Sequence, residues 1–199
     1  MAPKWFISNV LNFFFVNIFL RYDFNLIISN FSIGIKIFGA DEVYLSDIQI
    51  FDVDSDGIQV SSSEYAEIIG LYIESSSDGS GISVISDSDN LVMSDTVIIG
   101  FENGIFVNSY GASLENIISS SNDNYGLYVF ETNIEISDST FTENGINGIK
   151  LNALTSGILD NNLIYDNGQA EVRIISSFNI VIRDNSISDP SDGYGIHLT

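Results

Sequence analysis

The 199-residue chain contains no cysteine, which excludes disulfide frameworks, thiolate metal sites and cysteine nucleophiles together. Positive charge is almost as scarce. Six Lys and Arg stand against 27 Asp and Glu, for a formal net charge of −21, and such a field repels nucleic acid and anionic membrane surfaces, so neither is an expected partner. Only two prolines are present. Against these absences stand 45% hydrophobic and 12% aromatic residues, enough to build a core and to argue against disorder. Abundant carboxylates without thiols suit an extracellular or cell-surface setting, although an acidic intracellular protein would share the composition.

Long apolar runs are lacking except at the start, where Lys4 precedes residues 5–20. Asn9, Asn12 and Asn17 interrupt that run and no small-residue cleavage site follows. Residues 1–24 are therefore read as an amphipathic or extended cap on one end of the domain, with an apolar leader or anchor as the alternative.

One short phrase recurs through the remainder: GIKI at Gly34, GIQV at Gly57, GISV at Gly81, GIFV at Gly104, GLYV at Gly126, GIKL at Gly148 and GIHL at Gly195, with EVRI at Glu171 as a disguised copy. Successive copies start 23, 24, 23, 22, 22, 23 and 24 residues apart, the period of a solenoid. A second apolar alternation lies midway, as in VYLSDIQI (43–50), LVMSDTVI (91–98), IEISDSTF (134–141) and IVIRDNSI (180–187). Strand-length alternation bounded by Asn, Asp, Ser and Gly predicts β-structure, and the Ile/Val framework departs from leucine-rich repeats, which share the period. The expected fold is all-β: a right-handed, single-stranded parallel β-helix over residues 25–199, with about eight coils of 22–24 residues and about three short strands per coil. One turn position is read as carrying Asp47, Leu71, Asp95, Asn116, Asp138, Asn161 and Asp184, residue types that mostly tolerate left-handed backbone. The first coils look less regular, because the interval from the 26–28 alternation to the 43–45 one is shorter than a repeat.

In a strand written G-I-x-V the Ile and Val point inward and x points outward. The outward position reads Lys36, Gln59, Ser83, Phe106, Tyr128, Lys150, Arg173 and His197, so four of the seven basic side chains, His197 included, fall in eight positions. Tyr125 and Tyr194 precede the Gly, while Asn108, Phe130 and Asn152 follow the strand. Aromatic faces suit sugar rings, amides suit hydroxyls, and cations about one coil spacing apart suit a polymer bearing acidic groups. Phe106, Asn108, Tyr125, Phe130, Asn152 and Tyr194 are accordingly the candidate substrate-binding residues.

Abstracting the proton alpha to a sugar carboxylate needs a cation on the carboxylate, a base on one face and a proton donor on the other. Arg173 is the candidate neutraliser, Lys150 or His197 the base and Tyr128 the donor. Reprotonation from the opposite face gives epimerisation, whereas loss of the neighbouring glycosidic oxygen gives a lyase. A hydrolase would need two carboxylates across the sugar bond, and the column offers no such pair. DVDSDG (52–57) opens like a calcium loop, making Asp52, Asp54 and Asp56 candidate metal ligands, but its twelfth position falls on Ser63. SDPSDG (188–193) is a similar acidic turn. Calcium is the cofactor these turns suit, and no organic cofactor is expected.

YDNG (165–168), AEVRI (170–174), YGI (194–196) and the ENG and NG turns at 102–104, 143–145 and 147–148 resemble the catalytic β-helix module of mannuronan (alginate) C-5 epimerases. The resemblance implies calcium dependence, a polyuronate substrate and a groove along this face, with Lys150 and Arg173 as groove cations. That family's Tyr-Gly-Phe-Asp-Pro-His-Glu signature is not found; counting coils back from AEVRI lands at SIGIKIFG (32–39). The expected function is thus a carbohydrate-active β-helix that binds an acidic polysaccharide, as an epimerase or lyase, the alternatives being a non-catalytic surface or adhesive β-helix and a purely structural solenoid. No membrane insertion of the β-helix is expected. The strand ending at Thr199 has no cap after it, so a further module or subunit is expected at that open edge.

Overall fold

The computed structural model describes residues 12–14, 26–40, 42–85, 88–188 and 193–199. Among these there is no helix, and every strand pairing is parallel, each strand with its counterpart one repeat away. The chain winds as a solenoid of about seven turns. That is one fewer than the copies of the repeat phrase, because a turn is the interval between two rungs.

Three faces make each coil. The first stacks Ile35–Phe38, Ile58–Ser61, 82–85, 103–107, Tyr125–Phe130, Asn147–Asn152, Ala170–Ile175 and Tyr194–Leu198. A second stacks Glu42–Ser46, Tyr65–Ile69, 91–94, 112–115, Asn133–Ser137, Ser156–Asp160 and Ile180–Arg183. The third runs from Leu26–Phe31 and Ile48–Val53 to Thr140–Thr142, Leu163–Tyr165 and Ser186–Ser188. The long strands Tyr72–Ile85, Asp89–Val107 and Tyr110–Ser120 pass round corners from one face to the next. Of the expected cap at residues 1–24, only the backbone of Asn12–Phe14 is described, paired with Ile35–Phe38; the rest lies outside the described residues.

The early coils are more regular than their sequence suggests. Leu26–Phe31 pairs with Ile48–Val53, with Leu26 opposite Ile48 at an interval of 22 residues, whereas 43–45 belongs to a different face. The turn column is confirmed at six positions by positive φ at Asp47, Asp95, Asn116, Asp138, Asn161 and Asp184. Its remaining member is Gly70 (φ 69°), not Leu71, whose side chain is buried in the core. Glycine adopts left-handed backbone without a Cβ penalty, so no Asp or Asn was needed to mark the corner.

Apolar side chains stack coil on coil. Ile58, Ile82, Ile105, Leu127, Ile149 and Val172 form one inward column of the first face, all with essentially no solvent exposure. The recurrent glycine is needed for close approach: a Cβ on Gly126 would lie 2.7 Å from the Gly148 carbonyl oxygen and 2.7 Å from Asn144 Nδ2. This crowding explains why the repeat phrase begins with Gly.

Two buried asparagine ladders, not anticipated from the sequence, satisfy the corner amides. Asn144 Oδ1 accepts from both the backbone N (3.2 Å) and Nδ2 (2.8 Å) of Asn122, and Asn167 Oδ1 does the same for Asn144 (3.0 and 2.8 Å). In the sequence, the residue 23 positions beyond Asn167 is Pro190, which has no side-chain amide. Fully buried Glu171 supplies the acceptors instead, taking Asn167 N on Oε1 at 3.2 Å and Asn167 Nδ2 on Oε2. This accounts for the one rung where Glu replaces Gly. In the second ladder Asn162 Oδ1 accepts from Ser139 N, and Asn185 Oδ1 from Asn162 N and Nδ2.

Asn144→Val strands two buried donors of Asn122 and is expected to cost about 2–4 kcal/mol. By thermal unfolding, the midpoint should fall on the order of 10 °C for a chain of this size. A shift within about 1 °C would show that the ladder contributes nothing net.

Candidate functional site

The outward column of the first face is continuous in the structure. Lys36 pairs with Gln59, Gln59 with Ser83, Ser83 with Phe106, Phe106 with Tyr128, Tyr128 with Lys150, Lys150 with Arg173 and Arg173 with His197. Parallel pairing in unbroken register sets these side chains about 4.8 Å apart along the solenoid. The early rungs are quiet: Ser83 is buried, and Gln59 Nε2 donates to Asp56 Oδ2 at 3.0 Å.

The middle rungs form an aromatic cluster. The Phe106 and Tyr128 rings lie 5.3 Å apart, and Tyr125 meets Tyr128 edge-on at 5.4 Å. Lys150 Nζ sits over both tyrosines, 4.4 and 4.3 Å from the centroids of Tyr125 and Tyr128, and donates to Tyr125 Oη at 3.1 Å. The ring quadrupoles and the phenol oxygen hold the ammonium in place. Asn152 Nδ2 donates to Tyr128 Oη at 3.4 Å. Asn108 and Phe130 follow on their own rungs, half-buried at the edge of the same face.

The last rungs form a second group around a cleft of about 450 Å³ lined by Asn147, Gln169, Arg173, Tyr194 and His197. Tyr194 stacks on His197 with centroids 4.6 Å apart at 26°. Arg173 is half-buried, and its Nε has no acceptor. The Glu171 side chain, two residues before Arg173, is buried and accepts from Asn167. Asn147 and Gln169 were not singled out from the sequence. The signal for Asn147 was available, since Asn103, Tyr125, Asn147, Ala170 and Tyr194 share the register position just before the recurrent glycine.

The acidic turn lies at the opposite half of the column. Asp52 takes left-handed backbone (φ 52°), and Asp52 and Asp54 are exposed. Asp56 closes the turn by accepting from Ser80 N at 2.8 Å and from Gln59. The second acidic turn, at 188–193, lies almost wholly outside the described residues. Two tyrosines on the other faces have raised pKa values. Burial, and then the charge of Glu67, raises Tyr65, while the hydrogen bond to Glu74 (2.7 Å), and then burial, raises Tyr72. Among the described residues the single salt bridge, Arg183 to Asp160 at 2.6 Å, is on the second face, away from the column.

The parallel coils, the period and the left-handed corners agree with a family model described as "Right handed beta helix region", which matches residues 80–199. The chain belongs to the right-handed β-helix family. Among solved structures, this β-helix is similar to the A-module of the Azotobacter vinelandii mannuronan C-5 epimerase AlgE6, with a TM-score of 0.68 and 20% identity over 87% of this chain and 54% of that one. It is also similar to the A-module of the Azotobacter vinelandii mannuronan C-5 epimerase AlgE4, with a TM-score of 0.60 and 15% identity over 87% of this chain and 72% of that one. This β-helix thus spans about half the length of the AlgE6 chain, and likeness at these identities shows a shared fold. No curated protein matches the chain in sequence. Among the described residues no helix is long and apolar enough to cross a membrane.

Proposed function

We propose that this β-helix binds an acidic polysaccharide of the alginate type, laid along the column from Phe106 to His197, outside the cell or at its surface. The observation that carries the reading is the unbroken register of Tyr128, Lys150, Arg173 and His197 on one sheet of an otherwise acidic protein. A polyuronate repeats its charge at nearly the spacing at which parallel strands repeat theirs. The aromatic cluster supplies faces for sugar rings, and Asn108 and Asn152 supply amides for hydroxyls. The fold shared with mannuronan epimerase modules supports the same substrate class.

The chemistry proposed for the column is proton abstraction at the carbon bearing the carboxylate. Arg173 neutralises the carboxylate, Lys150 or His197 takes the proton, and Tyr128 delivers one from the opposite side. A binding-only role is the second reading, favoured by Lys150, whose ammonium is engaged by two tyrosines. Incubation with polymannuronate in heavy water separates the two. Deuterium at carbon 5 is the expected result for an epimerase; retention of the polymer without deuterium identifies a binding module.

Net charge makes a further demand. A body of charge −21 repels a polyanion at long range, and that repulsion is screened as the Debye length falls from about 30 Å at 0.01 M salt to about 8 Å at 0.15 M. Retention in gels containing polymannuronate should therefore rise over this range, opposite to the behaviour of a basic binder. Lys150→Ala with Arg173→Ala should abolish it, and unchanged retention in that double variant would sink the groove.

Calcium on the turn bearing Asp52, Asp54 and Asp56 belongs to the same proposal, supported by the two exposed carboxylates and the resemblance to a calcium-dependent family. An unfolding midpoint higher in calcium than in EGTA is expected; equal midpoints would remove calcium from this turn.

A further inference from the structure

Among the described residues no ion pair or hydrogen bond engages Arg173, in a chain with 27 acidic side chains. Its Nε is closed to solvent and has no acceptor. A guanidinium held half-buried and unpaired is costly, and because the fold bears that cost, an arriving anion has less desolvation left to meet. The wall of the same cleft contains a second unmet group. Asn147 is fully buried; its Nδ2 donates to the carbonyls of Ile146 (2.9 Å) and Ala170 (3.2 Å), while its Oδ1 has no donor. Beside both, Tyr194 is 60% exposed and stacked on His197, which presents a flat surface about the size of a sugar ring.

We infer that this cleft is a subsite for one uronate residue, its carboxylate on Arg173, a ring hydroxyl toward Asn147 and its ring face against Tyr194. The inference rests on the polyuronate reading above and deepens it, by seating the sugar unit whose carboxylate meets Arg173 in one cleft with Asn147 and Tyr194. Lys150 already donates to Tyr125 Oη and lies over two rings, so in this subsite it holds the aromatic floor, and of the two candidate bases His197 is the one that faces the cleft. The volume of about 450 Å³ admits a sugar unit. A neutral sugar would leave the guanidinium unpaired. A simple inorganic anion would leave the Asn147 acceptor and the Tyr194 face unused.

His197 is the single histidine of the chain, so its Hε1 proton gives one resolved NMR signal that reports on this cleft. Titration with monomeric mannuronate, a mannuronate trimer and a mannose trimer tests the assignment. Both uronates should move the signal, the trimer at lower concentration, and the mannose trimer should leave it in place. Arg173→Gln should weaken trimer binding about tenfold or more, the value of one charge-assisted hydrogen bond, with Arg173→Lys recovering part of the loss. Lys150→Gln should weaken it less than Arg173→Gln does. Should Arg173→Gln lose its dispersed amide spectrum, Tyr194→Ala, which removes an exposed ring, replaces it and should weaken binding severalfold. The inference is overturned if the wild-type chain retains polymannuronate while the His197 signal stays still, if Arg173→Gln binds the trimer as wild type does, or if mannose binds equally well. Should the wild-type chain bind no uronate polymer at all, the proposed function fails first and takes this subsite with it.

Discussion

No single coil of this chain can bury its own apolar side chains; each does so only against the coils on either side. Everything else in the structure follows from that stacking. Isoleucine rests on isoleucine, each glycine admits the backbone of the next rung, and the parallel hydrogen bonds hold consecutive coils in register. The same register that builds the inner column builds the outer one, because inward and outward side chains alternate on one strand. Lys150 stands on Arg173 for the same geometric reason that Ile149 stands on Val172. A candidate binding face is thus a by-product of core packing, and function is added by choosing only the outward residues.

Stacking also brings identical polar groups together, and the chain manages that in two ways. Outside, the corner column avoids adjacent aspartates: from Asp95 onward Asp and Asn alternate, with Asn116 donating to Asp95 and Asn161 to Asp138, both at 2.6 Å. Like charges one coil apart would repel; the alternation converts the same positions into hydrogen bonds. Inside, amide groups serve because each side chain both donates and accepts, so a ladder can propagate without a buried charge. On the rung beyond Asn167 the acceptors are instead the two carboxylate oxygens of Glu171.

Much of the architecture was legible. Repeats of 22–24 residues, period-two alternation and Asn/Asp corners point to parallel coils because each is a local requirement written once per turn. The outward column was legible in full, from Lys36 to His197, since register follows from the repeat once the Gly is aligned. The corner at Gly70 was misread as Leu71 because glycine carries no side chain to distinguish a left-handed corner from any other glycine. The early coils looked irregular only because segments of two different faces were compared. Asn122, Asn144 and Asn167 gave no sign of burial, since asparagine in a turn-rich sequence reads as surface.

The sequence by itself determined the repeat, the parallel stacking and the identity of the side chains on each face, because these depend on spacing alone. Only the tertiary structure decided which of those side chains are spent on one another. Lys150 and Arg173 are equivalent by position, yet one lies over two tyrosine rings and the other has no partner among the described residues. That difference arises from contacts between neighbouring coils, where side-chain length, ring orientation and burial meet, and no periodicity encodes it. Glu171 shows the same limit: its position marked it as an outlier in a glycine column, and only the packed structure showed its carboxylate oxygens accepting from Asn167.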